Sequence, residues 1–211
     1  MDIVQKYGYT PLRKPRKKQT KKRHDVSLLA IKSDTMITDS FQQLPFFNEM
    51  LTYFAESSEF YNTSLSIDTL APEAITTSAD FANREGTILL GTDLSAHQIK
   101  SVAQLQPNLV VVDTNYPNIP ADFITMDNFQ GGFIAAKYLI EAGFTEIGYI
   151  ASRDRFYNFT ERMHGFNAGM SSLGEGLSKS NMLRVSPISM KPNDEFEKTI
   201  LGQKKLPQVF F

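Results

Sequence analysis

The sequence contains no cysteine, which excludes a disulfide framework, a thiolate metal site and a cysteine nucleophile. No stretch approaches the roughly 18 uninterrupted apolar residues of a transmembrane helix. The amino-terminal residues also lack the apolar core of a signal peptide. From these absences we expect a cytoplasmic chain that does not enter the membrane.

Signatures of catalysis are missing as well. The sequence has no Gly-x-Ser-x-Gly elbow, no Walker-type loop, no Gly-x-Gly-x-x-Gly fingerprint and no pair of metal ligands at helical spacing. The three histidines, His24, His97 and His164, are scattered and have no candidate nucleophile as a partner. We therefore predict a protein that is not an enzyme and that holds no metal or cofactor.

The net charge of −1 hides a strong asymmetry along the chain. Residues 1–24 hold nine Lys/Arg and one acid, whereas residues 25–211 hold thirteen Lys/Arg and twenty-two acids. A basic arm on an acidic body suggests an anionic partner at one end. Most such runs are solvated disordered tails, and that interpretation of the arm stays open.

The middle of the chain has the rhythm of a parallel α/β sheet. An apolar, β-branched run at 109–112 predicts a buried strand, and 147–150 predicts another. Between them, Asp127 or Asn128 can cap a helix that ends at Gly143, and a further helix is predicted over about 160–173. Alternation of strands and helices indicates βαβ units.

Weaker patterns precede this region. They predict strands at 26–31, 64–67 and 87–90, a helix that starts near Pro45, and a helix at 95–104. Asp113 comes at the carboxyl end of the strand at 109–112, where open α/β sheets bind ligands. The same position suits a turn residue. Asp34, which comes after the first strand, could likewise bind a ligand or belong to a turn.

Four motifs in this order resemble the LacI/GalR family of transcription regulators over roughly residues 25–175, most specifically from residue 109. They are Val111-Val112-Asp113, Ile124-Thr125-Met126-Asp127-Asn128-Phe129-Gln130-Gly131-Gly132, the run from Tyr138 through Gly143 to Ile150, and Glu161-Arg162-Met163-His164-Gly165-Phe166. One departure is Phe144, where the family often has histidine. The resemblance implies an α/β fold of the periplasmic-binding-protein-like type I, with parallel sheets flanked by helices in two subdomains.

The resemblance also implies a division of the chain. Residues 1–24 are similar to the end of a DNA-binding headpiece and a basic hinge arm, without the helix-turn-helix. Residues 25–150 then form the amino-terminal subdomain, and 151–211 form an incomplete carboxyl-terminal subdomain. The apolar segment at 206–211 looks like the start of a strand, and if the chain ends at Phe211 we expect one sheet edge to be unpaired and an apolar terminus to be exposed. In the arm, Arg13, Lys14, Arg16, Lys17 and Lys18 are predicted to contact DNA phosphates in a salt-sensitive, nonspecific way.

Effector-binding residues follow from the same resemblance. Arg162 matches the family arginine that bonds sugar hydroxyls or a ligand anion; alternatively it is a surface arginine paired with Asp154 or Glu161. Asn158 could offer its amide to hydroxyls or be an ordinary turn or cap residue. The remaining candidates are Phe46 and Phe47, which could stack on a sugar ring or pack in the core, and Gln130 and Asp127, for which helix capping is the alternative.

We therefore predict the effector-sensing and dimerising part of a sugar-responsive transcription regulator. The effector is expected to be a sugar or sugar phosphate, with operator DNA as partner of the full-length protein and homodimerisation as the family expectation. The alternative is a sugar- or solute-binding protein of a transport system, because one fold serves both roles. A helix-turn-helix encoded in frame upstream of Met1 would favour the regulator, and a signal peptide there would favour the transport protein.

Overall fold

A computed structural model describes residues 22–33, 44–77, 80–174, 176–177, 181–186, 194–202 and 205–211. The predicted DNA-contacting residues Arg13, Lys14, Arg16, Lys17 and Lys18, the headpiece-like segment 4–11 and Asp34 lie outside these ranges. Within the described ranges the chain alternates strands and helices. The strands are β1 (His24–Ile31), β2 (Thr63–Leu70), β3 (Gly86–Leu90), β4 (Leu109–Val112), β5 (Asp122–Ile124), β6 (Ile147–Ser152), β7 (Met182–Val185) and β8 (Val209–Phe210). The helices are α1 (Pro45–Phe60), α2 (Ala96–Leu105), α3 (Asn128–Glu141), α4 (Tyr157–Ser172) and α5 (Asp194–Leu201), with short 3₁₀ turns at Pro72–Ala74 and Phe81–Asn83.

The first sheet has five parallel strands in the order β2-β1-β3-β4-β5. Side chains alternate across its strands, so Leu28 and Ala30 face one side of β1 while Leu29 and Ile31 face the other. Helix α1 covers the first side through Phe47. Helix α2 covers the second side. Because both faces are covered, the central strands consist of nearly continuous apolar residues.

The second sheet is smaller and also parallel, in the order β7-β6-β8. Helices α3 and α4 pack on it through Ala136 and Phe166, against Tyr149 of β6. The ring of Phe211 stacks on Phe166 with centroids 4.9 Å apart. Phe211 therefore packs on this core and is not exposed as expected, whereas Leu206 of the same segment is 45% exposed.

Glycines allow α3 and α4 to pack closely. A Cβ built on Gly165 would lie 2.6 Å from the carbonyl carbon of Phe129, and one on Gly132 would lie 2.8 Å from the amide nitrogen of Phe166. Contacts this short are incompatible with a side chain. The glycines of the two sequence motifs thus set the spacing of the helix pair, and with it the position of the polar side chains at its amino-terminal end.

The predicted fold class is confirmed: parallel sheets are flanked by helices. The predicted domain boundary at residue 150 falls within β6, which belongs to the second sheet. Since α3 shares a core with that sheet, the packing favours a division between β5 and α3. The two-subdomain division itself stays a prediction.

Candidate functional site

The carboxyl ends of the central strands of the first sheet carry buried polar residues. Thr92 follows β3 and Asp113 follows β4, and these strands are neighbours in the sheet. The hydroxyl of Thr92 donates to Oδ2 of Asp113 over 2.7 Å. Asp113 has a φ of 69°, a left-handed conformation that aspartate tolerates better than most residues. The turn thus directs a carboxylate away from the end of β4.

Helices α3 and α4 bring carboxamides to this carboxylate. Asn158, in the first turn of α4, donates a hydrogen bond through Nδ2 to Oδ1 of Asp113. Asn128, the first residue of α3, donates through Nδ2 to Oδ1 of Asn158 over 3.0 Å and to the carbonyl oxygen of Met126 over 3.1 Å. Both asparagines are buried, so each amide has been withdrawn from water and is satisfied by protein partners.

Arg162 completes the arrangement. It lies four residues after Asn158, on the same face of α4, and its Nη2 donates to Oδ1 of Asn128 over 2.6 Å. Its guanidinium carbon also lies 5.9 Å from the centre of the Phe159 ring. We call Thr92, Asp113, Asn158, Asn128 and Arg162 the bridging network, because it joins the first sheet to the helix pair of the second.

The hydrogen bonds of the bridging network all run in one direction, from donor to acceptor, between Arg162 and Asp113. A cation at Arg162 and a carboxylate at Asp113 are connected by two carboxamides, each of which accepts on the arginine side and donates on the aspartate side. Such chains of hydrogen bonds polarise one another in a low-dielectric setting. Burial raises the pKa of the Asp113 carboxyl above its ordinary range, while hydrogen bonds from Thr92 and Asn158 and the charge of Arg162 oppose that rise.

Two of the six predicted effector residues, Asn158 and Arg162, belong to this network. Asp127 accepts a hydrogen bond from the backbone nitrogen of Gln130 over 2.9 Å, so its carboxylate caps α3 as the alternative interpretation had it. Gln130 is exposed on the first turn of that helix. Neither Asp154 nor Glu161 pairs with Arg162 among the described residues, and Glu161 lies 3.3 Å from His164 instead.

The two predicted stacking residues differ in exposure. Phe47 is 1% exposed and packs on Leu90 and Val112, next to the loops that hold the bridging network. Phe46 is 44% exposed and meets Phe47 edge to face with centroids 5.2 Å apart. Packing accounts fully for Phe47, whereas Phe46 has a ring surface available to a ligand.

Sequence reasoning missed Thr92 and the side-chain role of Asn128, and it ranked Asp113 low. Thr92 and Asp113 could have been found together, because both follow adjacent strands at the edge where α/β sheets bind ligands. Asn128 gave no such signal, because an asparagine at a helix start usually serves as a cap. Its contact with Arg162 depends on how α3 packs against α4.

Two kinds of feature are absent from the described ranges. No helix there is both long and apolar enough to cross a bilayer. No three acidic or histidine side chains in those ranges come together in a way that could hold a metal ion.

No protein-family model matches the chain. Among curated proteins it is similar to the HTH-type transcriptional repressor PurR of Pasteurella multocida (strain Pm70), with 35% identity over 105 residues, 49% of this chain and 30% of the repressor. The match thus spans about a third of that relative's length. That relative is a transcriptional repressor.

Solved structures show the same fold. A sugar-binding transcriptional regulator of the LacI family from Escherichia coli, complexed with phosphate, superposes with a TM-score of 0.65 and 16% identity, over 86% of this chain and 65% of that one. The cellobiose complex of the transcriptional regulator CelR gives a TM-score of 0.61 and 18% identity, over 87% and 54%. The resemblance to LacI/GalR-type regulators is therefore confirmed, in sequence by the curated relatives and in fold by these structures.

Proposed function

We propose that this chain, which resembles LacI/GalR-type regulators in sequence and fold, is the effector-sensing part of a sugar-responsive transcription regulator. The observation that carries the proposal is the bridging network, in which Arg162, two carboxamides and Asp113 meet at the carboxyl edge of the first sheet. That edge is where open α/β sheets bind ligands.

The chemistry of the network suits a polyhydroxylated ligand. A sugar hydroxyl both donates and accepts, so it can replace either side of a carboxamide–carboxylate or guanidinium–carboxamide hydrogen bond. Arg162 could equally bind the phosphate of a sugar phosphate with its forked donors. Two of the similar structures support sugars, since one is of a sugar-binding regulator and the other contains cellobiose.

A ligand at this position can report its presence because the network joins two separately packed sheets. Replacing the Asp113–Asn158 and Asn128–Arg162 hydrogen bonds with ligand contacts changes the relative stability of different arrangements of the sheets. A ligand shifts such an equilibrium only by its difference in affinity for them. In the proposal, that difference is transmitted through a homodimer to DNA.

In this proposal the basic arm serves the DNA side of the mechanism. Lys22, near the end of the arm, lies 2.9 Å from Glu85, and His24 lies 2.8 Å from the same carboxylate. Glu85 directly precedes β3, so this attachment is at the amino edge of the first sheet, opposite the bridging network. We expect the arm to contact phosphates of operator DNA in the cytoplasm. The repressor identity of the curated relative favours this role over a transport protein.

A thermal-melt screen tests the proposal. The chain is heated with increasing concentrations of glucose, ribose, cellobiose and glucose 6-phosphate. A ligand of the folded state raises the melting temperature in step with its concentration. A shift with one sugar that grows with concentration supports the sensing role, and no shift with any sugar contradicts it for this chain.

A further inference from the structure

A second polar pocket lies on the outer side of α4. Its volume is about 300 Å³, and its polar lining comes from the end of β6 and the loop that follows, from α4 and from the edge strand β7. The polar lining residues are Ser152, Asp154, Arg155, Thr160, His164 and Arg184. We call it the outer pocket.

None of the five bridging-network residues lines the outer pocket, although Phe159, whose ring lies 5.9 Å from the guanidinium carbon of Arg162, is in its lining. Asn158 and Arg162 mark the network face of α4, whereas Thr160 and His164 are each two positions further along. Two positions correspond to a rotation of about 200° around a helix. Thr160 and His164 therefore lie on the opposite side of α4 from Asn158 and Arg162.

Two guanidiniums dominate its charge. In the part of the chain that the structure describes, neither Arg155 nor Arg184 forms an ion pair. Arg184 donates to the carbonyl oxygen of Ser152 over 3.2 Å and to the sulfur of Met182 over 3.6 Å, contacts that leave most of its five N–H groups available. Asp154 opposes them with one negative charge, so the pocket keeps a net positive charge before His164 is counted.

The register of the second sheet explains why the two arginines share a pocket. Arg184 pairs with Ala151 across β6 and β7, and paired residues of parallel strands present their side chains on the same face. Arg155 follows β6 by three residues, at the carboxyl edge of that sheet. The cap position of α4 is Phe156, which has no side-chain oxygen to satisfy the first helical amides, so the positive end of the helix adds to the field here.

We propose that the outer pocket binds a phosphate group, either as inorganic phosphate or as part of a small phosphorylated metabolite. Forked guanidiniums are the side chains best matched to a tetrahedral oxyanion, and the hydroxyls of Ser152 and Thr160 can add donors. The volume lies at the small end of the range for ligand sites. The proposal is independent of whether the bridging network senses a sugar.

Isothermal titration calorimetry with inorganic phosphate tests it, at constant ionic strength with chloride as the exchanged anion. The wild-type chain is compared with Arg155→Gln, Arg184→Gln and the double variant. Arg153→Gln is the matched control, because Arg153 is an exposed arginine of the same loop that does not line the pocket. We expect binding by the wild type and the control, and a loss of affinity of about tenfold for each pocket arginine removed.

Both pocket arginines are exposed, so the variants should keep the wild-type circular dichroism spectrum. Should the double variant fail to fold, the single variants give the same comparison. No phosphate binding by the wild type, or unchanged affinity in the folded pocket variants, would overturn the proposal. Titration with glucose 6-phosphate and with glucose separates the two sources: tighter binding of the sugar phosphate that depends on Arg155 and Arg184 identifies a phosphorylated metabolite, and equal affinities identify free phosphate.

Discussion

Arg162 reaches from the second turn of α4 to the first residue of α3 and donates a 2.6 Å hydrogen bond to the side chain of Asn128. The two residues are 34 positions apart in sequence. Through Asn128 the arginine is connected to Asn158 and then to Asp113, which explains how a partly exposed cation is coupled to a buried carboxylate.

Asn128→Ala should destabilise the chain because it leaves Oδ1 of Asn158 and the guanidinium of Arg162 without their partner. An unsatisfied buried polar group costs roughly 1–3 kcal/mol. Urea denaturation measures this cost. Asn108→Ala serves as control, because that side chain donates one hydrogen bond at an exposed position and its loss should cost less than about 1 kcal/mol. Equal losses in the two variants would argue against a buried network.

Gly165→Ala should destabilise the chain strongly, because its new methyl group would meet the backbone of Phe129. Overpacking of this kind typically costs about 1–3 kcal/mol, and more when backbone must move. Gly131→Ala is the matched control: no atom lies within 4 Å of a Cβ at that helical position. Alanine favours a helix by about 1 kcal/mol over glycine, so the control should melt slightly higher than the wild type.

Phe46 and Phe47 should behave differently despite being adjacent. Phe47→Ala removes a core side chain at the carboxyl end of the first sheet and should cost about 3–5 kcal/mol of stability. Phe46→Ala removes a partly exposed ring and should cost far less. If Phe46 stacks on a sugar, the Phe46→Ala variant should bind that sugar more weakly while its melting temperature stays close to that of the wild type. Full sugar affinity in Phe46→Ala would remove Phe46 from the site.

Asp113 should make stability depend on pH. Burial raises the pKa of this carboxyl in the folded state, whereas in the unfolded chain it titrates near the ordinary value of about 3.9. Between about pH 4 and the raised pKa, the folded state therefore binds more protons than the unfolded state. The stability of the folded state falls as the pH rises through this range. Asp113→Asn removes this contribution.

The direction of this pH dependence is tested by measuring the free energy of unfolding of the wild type and of Asp113→Asn from pH 4 to pH 7. The variant also rearranges the hydrogen bonds to Thr92 and Asn158, which offsets its stability by an amount independent of pH. The informative quantity is therefore the change in the difference between the two proteins: the wild type should lose stability relative to the variant as pH rises. A difference that is constant, or that changes in the opposite direction, would contradict the assigned shift.

Much of the fold could be predicted from local sequence. The strand at 109–112 was predicted with its observed bounds, since its β-branched run is buried on both faces. Pro45 indicated the start of α1 and Asp127 the cap of α3, because both signals act within one helical turn. β5 was not predicted: it has three residues and follows a proline-rich loop. β7 and α5 were likewise missed: β7 has only four residues and α5 only eight, so neither is long enough to establish a clear pattern.

The candidate site was harder to predict because it depends on tertiary packing. Arg162 and Asn158 were found through a motif rather than through their chemistry. Asn128 and Thr92 became visible only when α3, α4 and the first sheet were placed together. Phe47 is the opposite case: the resemblance suggested a ligand contact, but packing in the core of the first sheet accounts for this side chain.

The central claim is that the bridging network binds a small-molecule effector, and calorimetric titration of Arg162→Ala tests it most directly. The titrant is the sugar or sugar phosphate that gives a shift in the thermal screen, and Arg153→Ala is the control for loss of a cation from the neighbouring loop. We predict a loss of roughly 1.5–3 kcal/mol in Arg162→Ala, which is about 10- to 150-fold in affinity, and no loss in the control. Unchanged affinity in Arg162→Ala would contradict the account.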